Sequence, residues 1–279
     1  MSAVGDAMDE SSDRGVRTST EGGVTRIVLA RPEKRNAFDD GVVARLSEVV
    51  AAASNDDTVR AIVLEGEGPV FSAGADLDWM RRMVTADRES NLADALALAN
   101  LYEALACAPK AVIAKVHGAA LGGGAGLVAA ADVAIAAEGT VFGFTEARLG
   151  ILPAVISPHV VLRIGAGHAR RWFVTGERMD VHQALRIGLV HEVVPADALE
   201  SAVRRICFEV LQCGPQAVAG CKQLVEDVVG GLAMAGALEQ GFEDVKAYTA
   251  GRIADARVSA EGQEGLRAFL EKRKPRWAQ

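Results

Sequence analysis

Five glycines stand between His117 and Leu127, in "HGAALGGGAGL", at the threshold of the apolar helical pattern "LVAAAD". Glycine inside regular structure costs about 0.5–1 kcal/mol relative to alanine, so the run implies that something approaches this backbone closely. A dinucleotide fingerprint does not fit, because the sixth position counted from Gly122 is Leu127, and no P-loop lysine follows. What is left is a helix amino terminus with unshielded amides and the positive end of the helix dipole behind them, a place that suits negative charge. Close packing of helix on strand explains the same glycines equally well.

A second stretch, "GPVFSAGADLDWM" from Gly68 to Met80, follows a strand pattern and sets Ser72-Ala73-Gly74-Ala75 where the chain turns toward a helix. Two such turns, each after a buried strand, could aim two backbone N–H groups at one oxygen, which is the chemistry of an oxyanion hole. Other chemistries find less support. There is no G-x-S-x-G elbow for a serine nucleophile. His168, His182 and His191 stand in segments without zinc spacing, and His117 reads as the end of a strand. Trp79 and Met80 read as apolar wall, and no metal is expected.

The elements that must position these turns form an alternating series. "VTRIVLA", "VRAIVLEG", "KAVIAKVHG" and "DVAIAAE" read as strands, with helices over "FDDGVVARLSEVVAAAS", around Arg88 to Cys107, and from the glycine run to Ala131. That alternation argues for an α/β fold with largely buried strands. After about Pro195 only helical patterns follow, "ADALESAVRRICFEVLQCG", "PQAVAGCKQLVEDVV", "AGALEQGFEDVKAYTAG" and "DARVSAEGQEGLRAFLEKRKP". We expect a disordered tail over 1–20, a core over 21–200 and a helical region over 201–279.

With 279 residues the chain can bury a substantial core, and no apolar run nears the length of a membrane span. A net charge of −7 argues against a general nucleic-acid surface. The basic clusters "RPEKR" (Arg31 to Arg35) and "EKRKPR" (Glu271 to Arg276) read as solvated segments. The amino terminus lacks the apolar core of a signal peptide. Cys107, Cys207, Cys213 and Cys221 form no CxxC pair and read as buried reduced thiols, so a cytoplasmic location is expected.

Taken together and in order, "RPEKRNAF", "FSAGADL", "HGAALGGGAGL", "FGFTEARLGILPA", "ARRWFVTGERMDVHQALRIGLVHEVV" and "EGLRAFLEKRKP" resemble the landmarks of the crotonase family, the enoyl-CoA hydratase/isomerase superfamily. The resemblance implies a spiral of ββα units with carboxy-terminal helices that assemble trimers, often paired into hexamers. It implies acyl-CoA thioesters as substrates, with coenzyme A present only as part of the substrate and no separate cofactor. By position, the amides of Ala75 and Gly123 would be the oxyanion donors. Lys34 and the backbone around Ala73 and Asp76 would face the nucleotide end of coenzyme A. Leu77, Gly122, Gly126, Pro153 and His159 would border the bound ester, and Phe269 and Lys272 would join from a neighbouring subunit.

The familiar hydratases of this family use two glutamates. One corresponds to Glu146 here; the other falls on Gly126, about a turn beyond Gly123 on the same helix face, where a side chain would point at the acyl group. In one reading Glu146 works alone, as general base and acid in hydrating a 2-enoyl thioester. "LGILPAVISPHV" favours it, being similar to bacterial 3-methylglutaconyl-CoA and isohexenylglutaconyl-CoA hydratases, which implies a place in fatty-acid or branched-chain breakdown. In a second, Glu146 shifts a double bond as an isomerase. In a third, the protein binds acyl-CoA without turnover. Glu146 in an apolar cleft is expected to have a raised pKa.

Overall fold

The computed structural model describes residues 14–235 and 239–278. The chain opens with strands β1 (Val16–Glu21) and β2 (Val24–Leu29), then helix α1 (Asp40–Asn55), β3 (Ala61–Gly66), α2 (Leu77–Thr85) and α3 (Arg88–Ala106). Next come β4 (Ala111–Val116), β5 (Ala119–Leu121), α4 (Gly123–Ala130), β6 (Val133–Ala137), β7 (Val141–Gly143), α5 (Ser157–Thr175), β8 (Arg178–Asp180), α6 (Val181–Arg186) and β9 (Glu192–Val194). Four helices follow, α7 (Leu199–Gln212), α8 (Pro215–Ala235), α9 (Glu239–Val258) and α10 (Ala260–Leu270).

The main sheet has the order β1-β2-β3-β4-β6-β9, parallel throughout except for the antiparallel edge pair β1-β2. It is buried on both faces, as parallel sheets with near-continuous apolar strands must be. In β3, Ile62 and Leu64 face a core shared with Leu46 of α1, Leu101 of α3 and Leu127 of α4. Ala61 and Val63 face the opposite way, against Leu199, Val203 and Cys207 of α7. A smaller sheet, β5-β7-β8, stands beside the first.

One expected boundary moves. The tail expected over 1–20 falls outside the described residues only as far as 13, and β1 occupies Val16–Glu21. Val16 is fully buried opposite Leu29, and ladder bonds rather than apolar periodicity hold the rest of that strand. The helical region expected from 201 begins with α7 at Leu199, and the apolar face of that first helix packs on the sheet. An amphipathic helix has the same pattern whether its partner is a sheet or another subunit. Of the four free cysteines only Cys207 is buried, whereas Cys107, Cys213 and Cys221 are exposed on this chain. Among the described residues no helix is long and apolar enough to cross a membrane, and no group of three or more His, Cys, Asp or Glu could hold a metal ion.

Candidate active site

The two small-residue turns meet. Ser72 donates its N–H to Ala119 O at 3.0 Å and accepts from Leu121 N at 3.1 Å, so the turn after β3 lies alongside the approach to α4. Gly74, with φ +90°, faces this neighbour so closely that a Cβ there would lie 2.7 Å from Leu121 O and 3.6 Å from Gly123 N. Only glycine allows that approach. Each candidate donor belongs to a peptide whose carbonyl is tied down: Phe38 N–H bonds Gly74 O at 2.9 Å, and Gly126 N–H bonds Gly122 O at 3.1 Å. The Ala75 and Gly123 N–H groups that share those peptides donate to no group of the chain among the described residues. Both residues are half-buried and reachable from outside. Two fixed, unpartnered donors side by side are what an anionic oxygen needs.

Glu146 opens a short 3-10 turn after β7 and comes to rest against this threshold. A side chain at Gly122 would begin 3.3 Å from Glu146 Oε1. Its other oxygen, Oε2, is buried and has no hydrogen-bond partner. Burial raises the Glu146 pKa, only partly countered by its own backbone amide, as expected for a carboxylate placed to trade protons near neutrality. Arg148 does not neutralise it, since that guanidinium donates to Gly176 O at 2.7 Å.

Close packing accounts for most of the glycine run. A Cβ at Gly123 would meet Phe38 Cζ at 2.6 Å and the Tyr102 hydroxyl at 2.9 Å; one at Gly124 would meet the Ser72 side chain at 2.8 Å. At Gly126 it would stand 2.3 Å from Ile156 Cγ2 and 3.0 Å from Tyr102 Cζ. Gly126, expected at the border of the bound ester, is packed against these two side chains. It is buried, and the direction in which a second glutamate would project is filled by the isoleucine that precedes α5. The glycines admit neighbouring side chains to the helix start, and the half-buried Gly122–Gly123 peptide is what they leave bare.

Comparison with known proteins bears on this arrangement. The profile of the family described as Enoyl-CoA hydratase/isomerase matches residues 19–279. The chain belongs to that family. It superposes on an enoyl-CoA hydratase of Shewanella pealeana with a TM-score of 0.90 and 39% identity, over 97% of this chain and 98% of that one. Pseudomonas aeruginosa AtuE gives 0.86 and 41%, over 95% and 100%. Enoyl-CoA hydratase ACTT6 of Alternaria alternata is 32% identical over 77% of this chain and 70% of its own length. The fold is thus the crotonase type, an α/β core with a carboxy-terminal helical region.

Within this member of the enoyl-CoA hydratase/isomerase family, the remaining candidates separate. Lys34 Nζ bonds Asp76 Oδ2 at 2.9 Å and Asp78 at 3.3 Å, and Arg31 reaches the same Asp76 oxygen at 3.0 Å and Asp39 at 3.0 Å. In "RPEKR" Glu33, Lys34 and Arg35 are exposed as expected of a solvated segment, whereas Arg31 is a partly buried structural clamp. Asp76 is buried and caps α2 through Asp78 N–H at 2.7 Å. Its burial would raise its pKa, but Lys34, the Asp78 amide and Arg31 prevail and hold it at about 2. The Asp76 side chain is thus committed to fixing the Ala75 turn, and only Lys34, half of Ala73 and the exposed Leu77 remain open to a ligand.

Pro153 is buried. The His159 ring lies 6.0 Å from that of Tyr102 and lines a cleft of about 840 Å³ with Arg163, Cys221 and Lys222, and burial lowers the pKa of its imidazole. Phe269 and Lys272 are exposed on this chain. Trp79 is buried as expected, with its indole donating to Asp94 at 3.0 Å. His117 follows β4 and bonds Gly68 O at 2.8 Å. The sequence reading missed Phe38, Tyr102 and Ile156, which stand far from the turns in sequence and look like ordinary core residues; the unusual density of glycines opposite them was the available sign.

Proposed function

We propose that this chain hydrates a 2-enoyl-CoA thioester, with Glu146 as the single acid and base and the amides of Ala75 and Gly123 as the oxyanion donors. The observation that carries the reading is the buried, unpartnered Glu146 Oε2 at the mouth of two fixed donor peptides. The carboxylate takes a proton from water as its oxygen adds to the β-carbon. The electron pair of the double bond moves toward the thioester oxygen, and the protonated Glu146 then returns the proton to the α-carbon. Pre-aimed amides stabilise the enolate, each by about 3 kcal/mol of barrier in comparable sites.

Coenzyme A enters as part of the substrate, its nucleotide end near Lys34 and the backbone of Ala73, and no metal or redox group is required. A branched acyl group of the 3-methylglutaconyl type is the substrate we favour, on the likeness of "LGILPAVISPHV" to hydratases of that class. The exposed apolar side chains of Leu266, Phe269 and Leu270 on α10 support assembly into a trimer or a dimer of trimers, and four free thiols support a cytoplasmic setting.

One observation favours a second reading. Ile156 leaves no room for a second acid opposite Gly126, which suits an isomerase that shuttles one proton between α- and γ-carbons through Glu146. Loss of thioester absorbance with crotonyl-CoA and 3-methylglutaconyl-CoA decides between them. Rapid loss, cut by about 10²–10⁴ in Glu146→Gln, is expected of general acid–base catalysis. No loss, with turnover of a 3-enoyl thioester instead, replaces hydration by isomerisation; binding without either leaves an acyl-CoA binder.

A further inference from the structure

The oxyanion helix has a soft start: Gly122, Gly123 and Gly124 follow one another with no side chain to restrain them. The Gly122–Gly123 peptide, which carries the donor N–H, is anchored on one side by Gly122 N–H bonding Gly143 O at 2.8 Å and by the first helical bond at Gly122 O. On the other side the next peptide is held by a side chain from a different element. Tyr102, in the last turns of α3, donates its hydroxyl to Gly123 O at 2.9 Å. The ring is fully buried and lies within contact distance of where side chains at Gly123 and Gly126 would begin. Burial, with Glu146 nearby, pushes the phenol pKa far up, so the hydroxyl remains a donor at any working pH.

From this geometry we infer that Tyr102 is a positioning residue, whose hydroxyl fixes the orientation of the Gly123 oxyanion donor. The inference rests on the proposed oxyanion site. Tyr102 is sealed from solvent and does not touch a substrate; it acts on the peptide that follows the donor. Without the hydroxyl, the Gly123–Gly124 peptide keeps only its helical bond, and rotation about the glycine Cα lets the preceding N–H swing from its aim. A donor is most effective when its direction is fixed before charge develops, so the loss falls on the transition state more than on binding of the ground-state ester.

The test is Tyr102→Phe, which keeps the ring and removes one oxygen, read with cinnamoyl-CoA. This enoyl thioester absorbs at longer wavelength when donors polarise its carbonyl, so the shift on binding reports the donors directly and independently of turnover. In the wild-type protein a red shift is expected. In Tyr102→Phe about half of it should be lost at equal saturation, with kcat toward the active thioester lowered about tenfold and KM changed less than about twofold. A wild-type protein that binds the probe without a red shift overturns the oxyanion site and this inference with it. A full shift in Tyr102→Phe overturns the inference alone, even if the variant melts at a lower temperature, because a purely structural tyrosine would cost stability without altering carbonyl polarisation.

Discussion

If Ile156 fills the space opposite Gly126, adding one methyl at that glycine should be harmful in the wild-type protein and favourable once Ile156 is trimmed. A Cβ at Gly126 lies 2.3 Å from Ile156 Cγ2 and 3.0 Å from Tyr102 Cζ. Carbon atoms rest about 3.5–4.0 Å apart, so the first contact is more than about 1 Å too short. Neither neighbour has room to turn away, Ile156 being 3% exposed and Tyr102 0%. Overpacking of this kind costs about 1–3 kcal/mol, against about 1 kcal/mol gained by replacing glycine with alanine inside a helix. Gly126→Ala should therefore destabilise by up to about 2 kcal/mol, lowering the thermal midpoint by about 2–4 °C per kcal/mol in a chain of this size. In an Ile156→Ala background the clash is gone, and the same substitution should raise the midpoint through helix propensity and partial refilling of the cavity. The four proteins form a double-mutant cycle with a coupling of about 1–3 kcal/mol, the overpacking cost itself, read by calorimetry at one protein concentration. Equal effects of Gly126→Ala in both backgrounds would refute the argument that Ile156 occupies this volume. The cycle also bears on chemistry, since a glutamate placed at 126 has no path into the cleft unless Ile156 is first shortened.

Two titratable groups give predictions of opposite sign. Burial lifts the Glu146 pKa above its ordinary 4.5, so the folded chain binds that proton more tightly than the unfolded one and loses stability as pH rises from 4.5 through the folded value. Glu146→Gln should accordingly raise the thermal midpoint at about pH 7 and give no advantage at about pH 4 or below; an equal gain at both would refute the burial argument. Asp76 is held at about 2 against an ordinary 3.8, so its contribution is present above 3.8 and lost as pH falls through about 2. Asp76→Asn should lower the midpoint by several degrees at neutral pH and flatten this acid arm, and an unchanged acid arm would mean that the clamp with Arg31 and Lys34 does not form in solution.

Legibility in the sequence followed the range over which each feature is determined. The long β-branched runs of β3 and β4 and the helical pattern of α1 are local, and each was readable from periodicity alone. The strand β1 was not, because "VRTSTE" offers one buried apolar residue, Val16, and its order comes from pairing with β2. The sign was the Gly22-Gly23 pair, whose φ values of +56° and +81° make the tight hairpin turn that two-residue loops require. Strands β5, β7 and β8, three residues each, are too short to carry a period. At the candidate site, both small-residue turns were visible after strands, whereas Glu146 stood out only through resemblance to a family. Ile156 and Tyr102 lie outside local reach, since nothing in "LYEAL" or "AVISP" says which glycines they will meet.

The site depends on α4 being held at both ends. At its carboxy end Arg163, from α5, donates to Ala129 O at 3.2 Å, to Asp132 O at 3.4 Å and also to Ala131 O, while its guanidinium pairs with His191 Nε2 at 3.0 Å. A cation on those carbonyls satisfies acceptors that a helix end otherwise leaves open and complements the dipole. The helix is buried from Gly124 to Ala130, so little water screens its field along the way to Gly123. That field attracts negative charge, while burial of the Glu146 carboxylate, partly countered by its own backbone amide, raises its pKa. The balance has a chemical consequence. In the proposed hydration, burial disfavours charge on Glu146 while the helix end favours charge on the thioester oxygen, and the proton transfer that links the two states is thereby brought closer to even.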